Sequence, residues 1–317
     1  MNEYMKFAAQ AALQECLKLG RREKLLVVCD PPCSAIGQAL WEVGRDRCKE
    51  AFLVQISPRK DNGNEPPEPV GEWFQQVDVA IMPTSKSLSH TKARRKASEK
   101  GVRIATLPGV TEDMFLRTMK TDWNALGAYT RKIAAQLSAT EKVQIKTDAG
   151  TDIMFEIRGR QISVDDGRLN YKGAFGNLPA GEAYCAPVEG TAEGRIVFDG
   201  SFPMVGLLDE PLILEVRKGR VVSVSGHPAG KELETLFLRY KSPSRTIAEF
   251  GVGTLDTAMI SGRILEDEKV RGTVHIAIGD NASMGGSVSV PIHLDGIIRQ
   301  PSVWLDYALW MKDGALV

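Results

Sequence analysis

A chain of 317 residues is long enough to bury two cores or one large one. Its 40 Lys and Arg are matched by 40 Asp and Glu, which leaves no basic footprint for nucleic acid or for an anionic membrane surface. No stretch approaches the roughly 20 apolar residues that span a bilayer. The odd set of cysteines (Cys16, Cys29, Cys33, Cys48 and Cys185) suits reduced thiols in a cytoplasmic protein.

Residues 1–20 carry Glu3, Lys6, Gln10, Glu15 and Lys18 at helical intervals, which predicts an amphipathic helix rather than a signal peptide. Residues 24–29 form an apolar run of the kind buried on both faces of a parallel sheet, and Asp30-Pro31-Pro32 ends it. Helical periodicity follows through Ile36, Leu40 and Val43. The spacing from Cys29 to Cys33 is one residue too long for a redox pair, and reads as a strand end and a helix start. Strands are expected over 51–56, 77–82 and 101–107, with helices over 89–100 and 112–119. The run Lys92-Ala93-Arg94-Arg95-Lys96 reads as a solvated helix face.

This alternation predicts a doubly wound α/β domain with a parallel sheet. No Gly-x-Gly-x-x-Gly or Walker-type loop follows any strand, so a nucleotide site is unsupported. A helix over 122–137 leads out of the domain, which places the expected division at 1–138 and 139–317. The second part is β-rich (α+β). Short alternating strands at 143–146, 152–157, 195–198, 212–216 and 220–224 are separated by turns such as Asp199-Gly200 and Lys218-Gly219, with a helix over 231–239.

Two of the four histidines fall close together in this β-rich part. His275 lies in an apolar strand, and His293 and Asp295, two residues apart, project to one face. Two imidazoles and a carboxylate are a metal-ligand set, although a single histidine in an apolar strand serves equally well as a core residue. Glu182 sits in a Gly/Pro-rich segment and Glu249 interrupts an apolar run. Each is a ligand candidate, against a solvent-facing turn acid for Glu182 and an Arg245 salt bridge for Glu249. Glu268 is either a general base or part of a charged hairpin tip. His227 reads as a turn residue, His90 as a helix start, and Trp304 and Trp310 as core or interface.

The segments 177–182, 248–254, 268–279 and 293–295 resemble, in order, the motifs of the thermophilic metallo-aminopeptidases of the aminopeptidase T and aminopeptidase S type. The resemblance implies a two-metal site of Glu182, Glu249, His275, His293 and Asp295, carrying two zinc, cobalt or manganese ions. Such a pair would activate a water for hydrolysis of N-terminal residues from small peptides, with Glu182 and Glu268 as catalytic residues. It also implies a homodimer. Two departures stand out: a family tyrosine is matched by Ala282, and the 279–291 loop is short and glycine-rich. The scaffold is also similar to that of 2,5-dihydroxypyridine 5,6-dioxygenase, in which His275, His293 and Asp295 would hold one Fe(II) for ring cleavage of a small-molecule substrate. A catalytically silent homologue is the third reading.

Overall fold

The structure is a computed structural model that describes residues 2–317. The chain divides into two compact units that interleave in sequence. One runs up to Gly127 and takes in Asp165–Ala180; the other comprises Ala128–Val164 and Gly181–Val317.

The first unit is the doubly wound α/β fold expected from its sequence. Its parallel strands lie in the order Glu50–Gln55, Lys24–Cys29, Val79–Thr84, Arg103–Pro108, and Phe175–Asn177 joins the sheet from the later segment. The central strands are buried along almost their whole length, as their unbroken apolar runs demand. Asn2, Thr91 and Thr111 cap helices Glu3–Gln10, Lys92–Glu99 and Glu112–Thr118 by accepting a backbone N–H three residues on. The basic run 92–96 therefore lies on a capped helix. His90 stands two residues before that helix, and its carbonyl accepts from Arg95.

The second unit is built from two large sheets and a two-stranded ribbon of Ser201–Phe202 and Gly206–Leu207. In one, Glu182–Cys185 pairs with Ile247–Gly253, which pairs with Val274–Gly279, which pairs with His293–Ile298. The other orders Arg220–Gly226, Leu212–Arg217, Glu193–Phe198, Asp152–Glu156, Lys142–Lys146, Ser302–Leu305, Ala308–Lys312 and Ala315–Leu316. Phe155 and Phe250 meet at a centroid distance of 5.2 Å in a core that also holds Ala183, Cys185, Val252, Val274, Ile276 and Ile278. Trp310 belongs to this core, its indole N–H donating to Gln136 Oε1 at 3.1 Å. Among the described residues no helix is long and apolar enough to cross a membrane.

Candidate metal centre

Strand alternation explains how the site forms. Along the four paired strands, one set of side chains (Ala183, Cys185, Phe250, Val252, Val274, Ile276, Ile278, Ile298) faces the core. The opposite face then carries Glu182 and Tyr184, Glu249, Gly251 and Gly253, His275, Ala277 and Gly279, and His293 and Asp295. Register aligns these rows: Glu182 stands opposite Gly253, His275 opposite Gly251, Asp295 opposite Ala277 and His293 opposite Gly279. Each large polar side chain has a glycine or alanine as its neighbour, which leaves room for the rings and carboxylates to converge. At Gly251 the room is indispensable, because a Cβ there would lie 2.0 Å from His275 Nε2.

All five expected ligand residues meet here. His275 Nε2 is 3.2 Å from Glu182 Oε2 and 3.3 Å from Glu249 Oε1. His293 Nε2 is 3.0 Å from Glu249 Oε2 and 3.3 Å from Asp295 Oδ1. The side chains form two adjoining groups, Glu182/Glu249/His275 and Glu249/His293/Asp295, each with its ligand atoms within 4.8 Å of one another. Glu249 is common to both. His275 is fully buried, whereas His293, with 30 % of its side chain exposed, sits at the mouth. Glu182 is buried rather than a solvent-facing turn acid, and Arg245 pairs with Glu234 instead of Glu249.

The donor set fits a cation. The Nδ1–H of His293 donates to the Asp280 carbonyl at 2.8 Å, which leaves Nε2 as the ring atom that faces the carboxylates. A bare lone pair there would face two carboxylate oxygens, an arrangement that repels unless a cation or a proton lies between. Among the described residues Glu182 Oε2 and Asp295 Oδ1 are buried with no hydrogen-bond partner of acceptable geometry, close as the imidazoles lie. The site's four carboxylates, counting Glu268, are accompanied by one buried ammonium, that of Lys269, which pairs with Glu182 and Glu268. A divalent ion would supply the missing positive charge. Without one, protons take its place. Burial alone would depress both imidazoles, but Glu182 and Glu249 raise His275, and Asp295 and Glu249 raise His293, well above the ordinary value. Burial likewise opposes ionisation of Glu249, yet hydrogen bonds from the two histidines hold its carboxyl down to about 2.

Glu268 is not a hairpin tip. It follows the short helix Ile264–Asp267 and is 14 % exposed, with Oε1 accepting from Lys269 Nζ at 2.7 Å. Burial first, then the charges of Glu182 and Asp295, push its carboxyl up to about 8 against the pull of Lys269. Lys269, fully buried, also donates to Glu182 Oε1 at 2.6 Å. Neither Lys269 nor Gly251 was singled out as a site residue from sequence. A lysine beside three acidic residues looks like surface charge, and a strand glycine announces its partner only through the register. His227 lies apart from the site, with Nε2 3.0 Å from Asp209.

A likeness to solved structures gives the fold. The dioxygenase of Pseudomonas putida KT2440, whose structure is described as that of 2,5-dihydroxypyridine dioxygenase, superposes with a TM-score of 0.84 at 16% identity, over 99% of this chain and 96% of that one. Wild-type AmpT from Thermus thermophilus superposes at 0.76 with 17% identity, over 99% of each chain. In sequence, the 2,5-dihydroxypyridine 5,6-dioxygenase of P. putida KT2440 is 25% identical over 194 residues, 56% of this chain. The match spans 55% of that relative's length. The family model for NicX, 2,5-dihydroxypyridine 5,6-dioxygenase, matches residues 48–317.

This corrects the functional expectation. The aminopeptidase-like motifs reflect a fold shared with AmpT, while the family match and the curated relative point to a dioxygenase and overturn the hydrolase, protease and zinc assignments. The chain belongs to the NicX, 2,5-dihydroxypyridine 5,6-dioxygenase, family.

Proposed function

We propose that this protein is an Fe(II)-dependent dioxygenase that opens the ring of a small hydroxylated aromatic substrate of the 2,5-dihydroxypyridine class. The observation that carries the reading is the placement of His293, whose Nδ1–H is held by the Asp280 carbonyl so that Nε2 lies beside Asp295 and Glu249. His275, His293 and Asp295, the two histidines and one carboxylate that Glu249 links, would hold the iron. Bound Fe(II) supplies the oxygen chemistry of ring cleavage.

The remaining residues hold charge and protons. Glu249 reaches the Nε2 atoms of both imidazoles and would stand beside the iron. Glu182, paired with Lys269, stands 3.2 Å from the same His275 Nε2. Glu268, whose carboxyl burial and the neighbouring carboxylates push up to about 8, is the candidate to exchange a proton with a substrate hydroxyl. Tyr184 lies on the same sheet face, opposite Gly251.

Metal content tests the ligand assignment. Protein reconstituted anaerobically with Fe(II) should hold one iron per chain. His293→Ala and Asp295→Ala should lose it, and Glu182→Gln should keep it. Two ions per chain, with one lost in Glu182→Gln, would sink the single-iron reading.

A further inference from the structure

The segment between the two histidine-bearing strands has bracing of its own, away from the ligand atoms. It leaves the sheet at Gly279, where φ is +116°, and rejoins it at His293. Inside it, the fully buried Asn281 folds the chain around itself. Asn281 Oδ1 accepts from Val288 N at 2.8 Å, its N–H donates to the Val288 carbonyl at 3.0 Å, and its own carbonyl accepts from Met284 N and Gly286 N.

Glu189 ties this loop down. Its Oε1 accepts from Asn281 Nδ2 at 3.1 Å, Ser287 N at 2.7 Å and Ser287 Oγ at 3.2 Å. Its Oε2 pairs with Arg160, whose Nη1 donates to the Gly285 carbonyl at 2.6 Å and Nη2 to the Pro187 carbonyl at 3.2 Å. Pro187 lies just beyond the strand that bears Glu182. Asp280, at the root of the loop, donates its N–H to the Ile292 carbonyl at 2.8 Å, accepts from Val290 N at Oδ2, and presents its carbonyl to His293 Nδ1.

We propose that the Arg160–Glu189 clamp is a positioning element for His293, acting through the loop that aims the Asp280 carbonyl. The inference rests on His293 being an iron ligand. Ladder pairing places the His293 backbone opposite Gly279, but the ring's rotation follows the carbonyl that its Nδ1–H meets. That carbonyl belongs to a glycine- and serine-rich loop. Ala282 and Ser283 are exposed, Met284, Val288 and Val290 are only half-buried, and the polar clamp ties the Asn281 turn to the chain just beyond the strand that bears Glu182. A partner removed from an imidazole's outer nitrogen typically costs roughly 10- to 100-fold in metal affinity.

The test uses Co(II) in place of iron, with binding followed by calorimetry and by the visible absorption of the bound ion. Glu189→Ala should weaken Co(II) binding by roughly 10- to 100-fold and alter the absorption, a change in geometry that a general loss of stability would not produce. Glu189→Gln, which keeps acceptors for Ser287 and Asn281, should recover part of the affinity. Arg160→Gln breaks the other half of the clamp and must act in the same direction, so a poorly folding Glu189→Ala leaves the proposal falsifiable. Glu141→Ala, which cuts the exposed pair with Arg158, should change nothing. Unaltered affinity and absorption in both clamp variants, beside normal wild-type binding, would overturn the clamp alone. Absence of any Co(II) binding by the wild type would overturn the iron reading and the clamp with it.

Discussion

Replacing Gly251 by alanine tests the centre through a single methyl group. The added Cβ would lie 2.0 Å from Nε2, 2.2 Å from Cε1 and 2.9 Å from Cδ2 of His275. Ordinary van der Waals contact begins at 3.4 Å, so the ring must retreat by about 1.4 Å (3.4 less 2.0). It has little space to do so, since His275 is fully buried and flanked by Glu182 and Glu249. Overpacking of this kind costs about 1–3 kcal/mol of stability, a loss that a folded protein tolerates. The functional cost is larger. Metal–imidazole bonds are about 2 Å long, so a shift of more than an ångström takes Nε2 out of reach. Co(II) titration should show affinity falling by at least about 100-fold in Gly251→Ala, beyond what an outer partner contributes. In the background of His275→Ala the same change should have almost no further effect, because the clash and the ligand disappear together. Wild-type affinity in Gly251→Ala would refute the placement of the ring, and a full additive loss in the double variant would refute its role as ligand.

Lys269→Met leaves the buried carboxylates of Glu182 and Glu268 without their ammonium. It should destabilise the protein by about 3–5 kcal/mol in urea unfolding, with part recovered by adding Glu182→Gln. Phe250→Ala removes a ring packed on Phe155 directly beneath Glu249 and Gly251, and should cost about 3–5 kcal/mol by the same measurement. Burial opposes ionisation of Glu189, but N–H groups from Ser287 and Asn281 and the charge of Arg160 bring its carboxyl from the ordinary 4.5 down to about 2. A depressed folded value means the clamp contributes fully above pH 4.5 and is lost as pH falls toward about 2. The stability difference between wild type and Glu189→Gln should therefore shrink across that window, and a difference independent of pH would contradict the assignment.

Much of this architecture is legible in the chain because local pattern and environment agree. The runs at 24–29 and 79–84 are apolar throughout because both faces of their strands are covered. His293 and Asp295 share a face by strand periodicity alone. What is not legible depends on long-range partners. No strand is predicted between 157 and 195, yet Phe175–Asn177 adds one to a sheet begun some 150 positions earlier, a pairing that no local signal carries. Lys269 belongs to an acidic-basic cluster that looks solvated until the helix Ile264–Asp267 turns it inward. The chemistry was harder to read still. The same glutamates and histidines that serve two ions in one enzyme class can line a single-iron pocket in another, since ligand spacing is set by the shared fold. Ala282 and the short loop after Gly279 were the visible departures from the peptidase pattern, and they lie in the segment that carries the Asp280 carbonyl to His293.

The most direct measurement supplies Fe(II)-reconstituted protein with 2,5-dihydroxypyridine under isotopically labelled dioxygen and follows the product by mass spectrometry. A ring-opened product carrying both atoms of the labelled oxygen, formed by the wild type and lost in His293→Ala, is the expected result. Iron-loaded protein that binds the metal through His275, His293 and Asp295 yet leaves every dihydroxylated ring intact would contradict the proposed function.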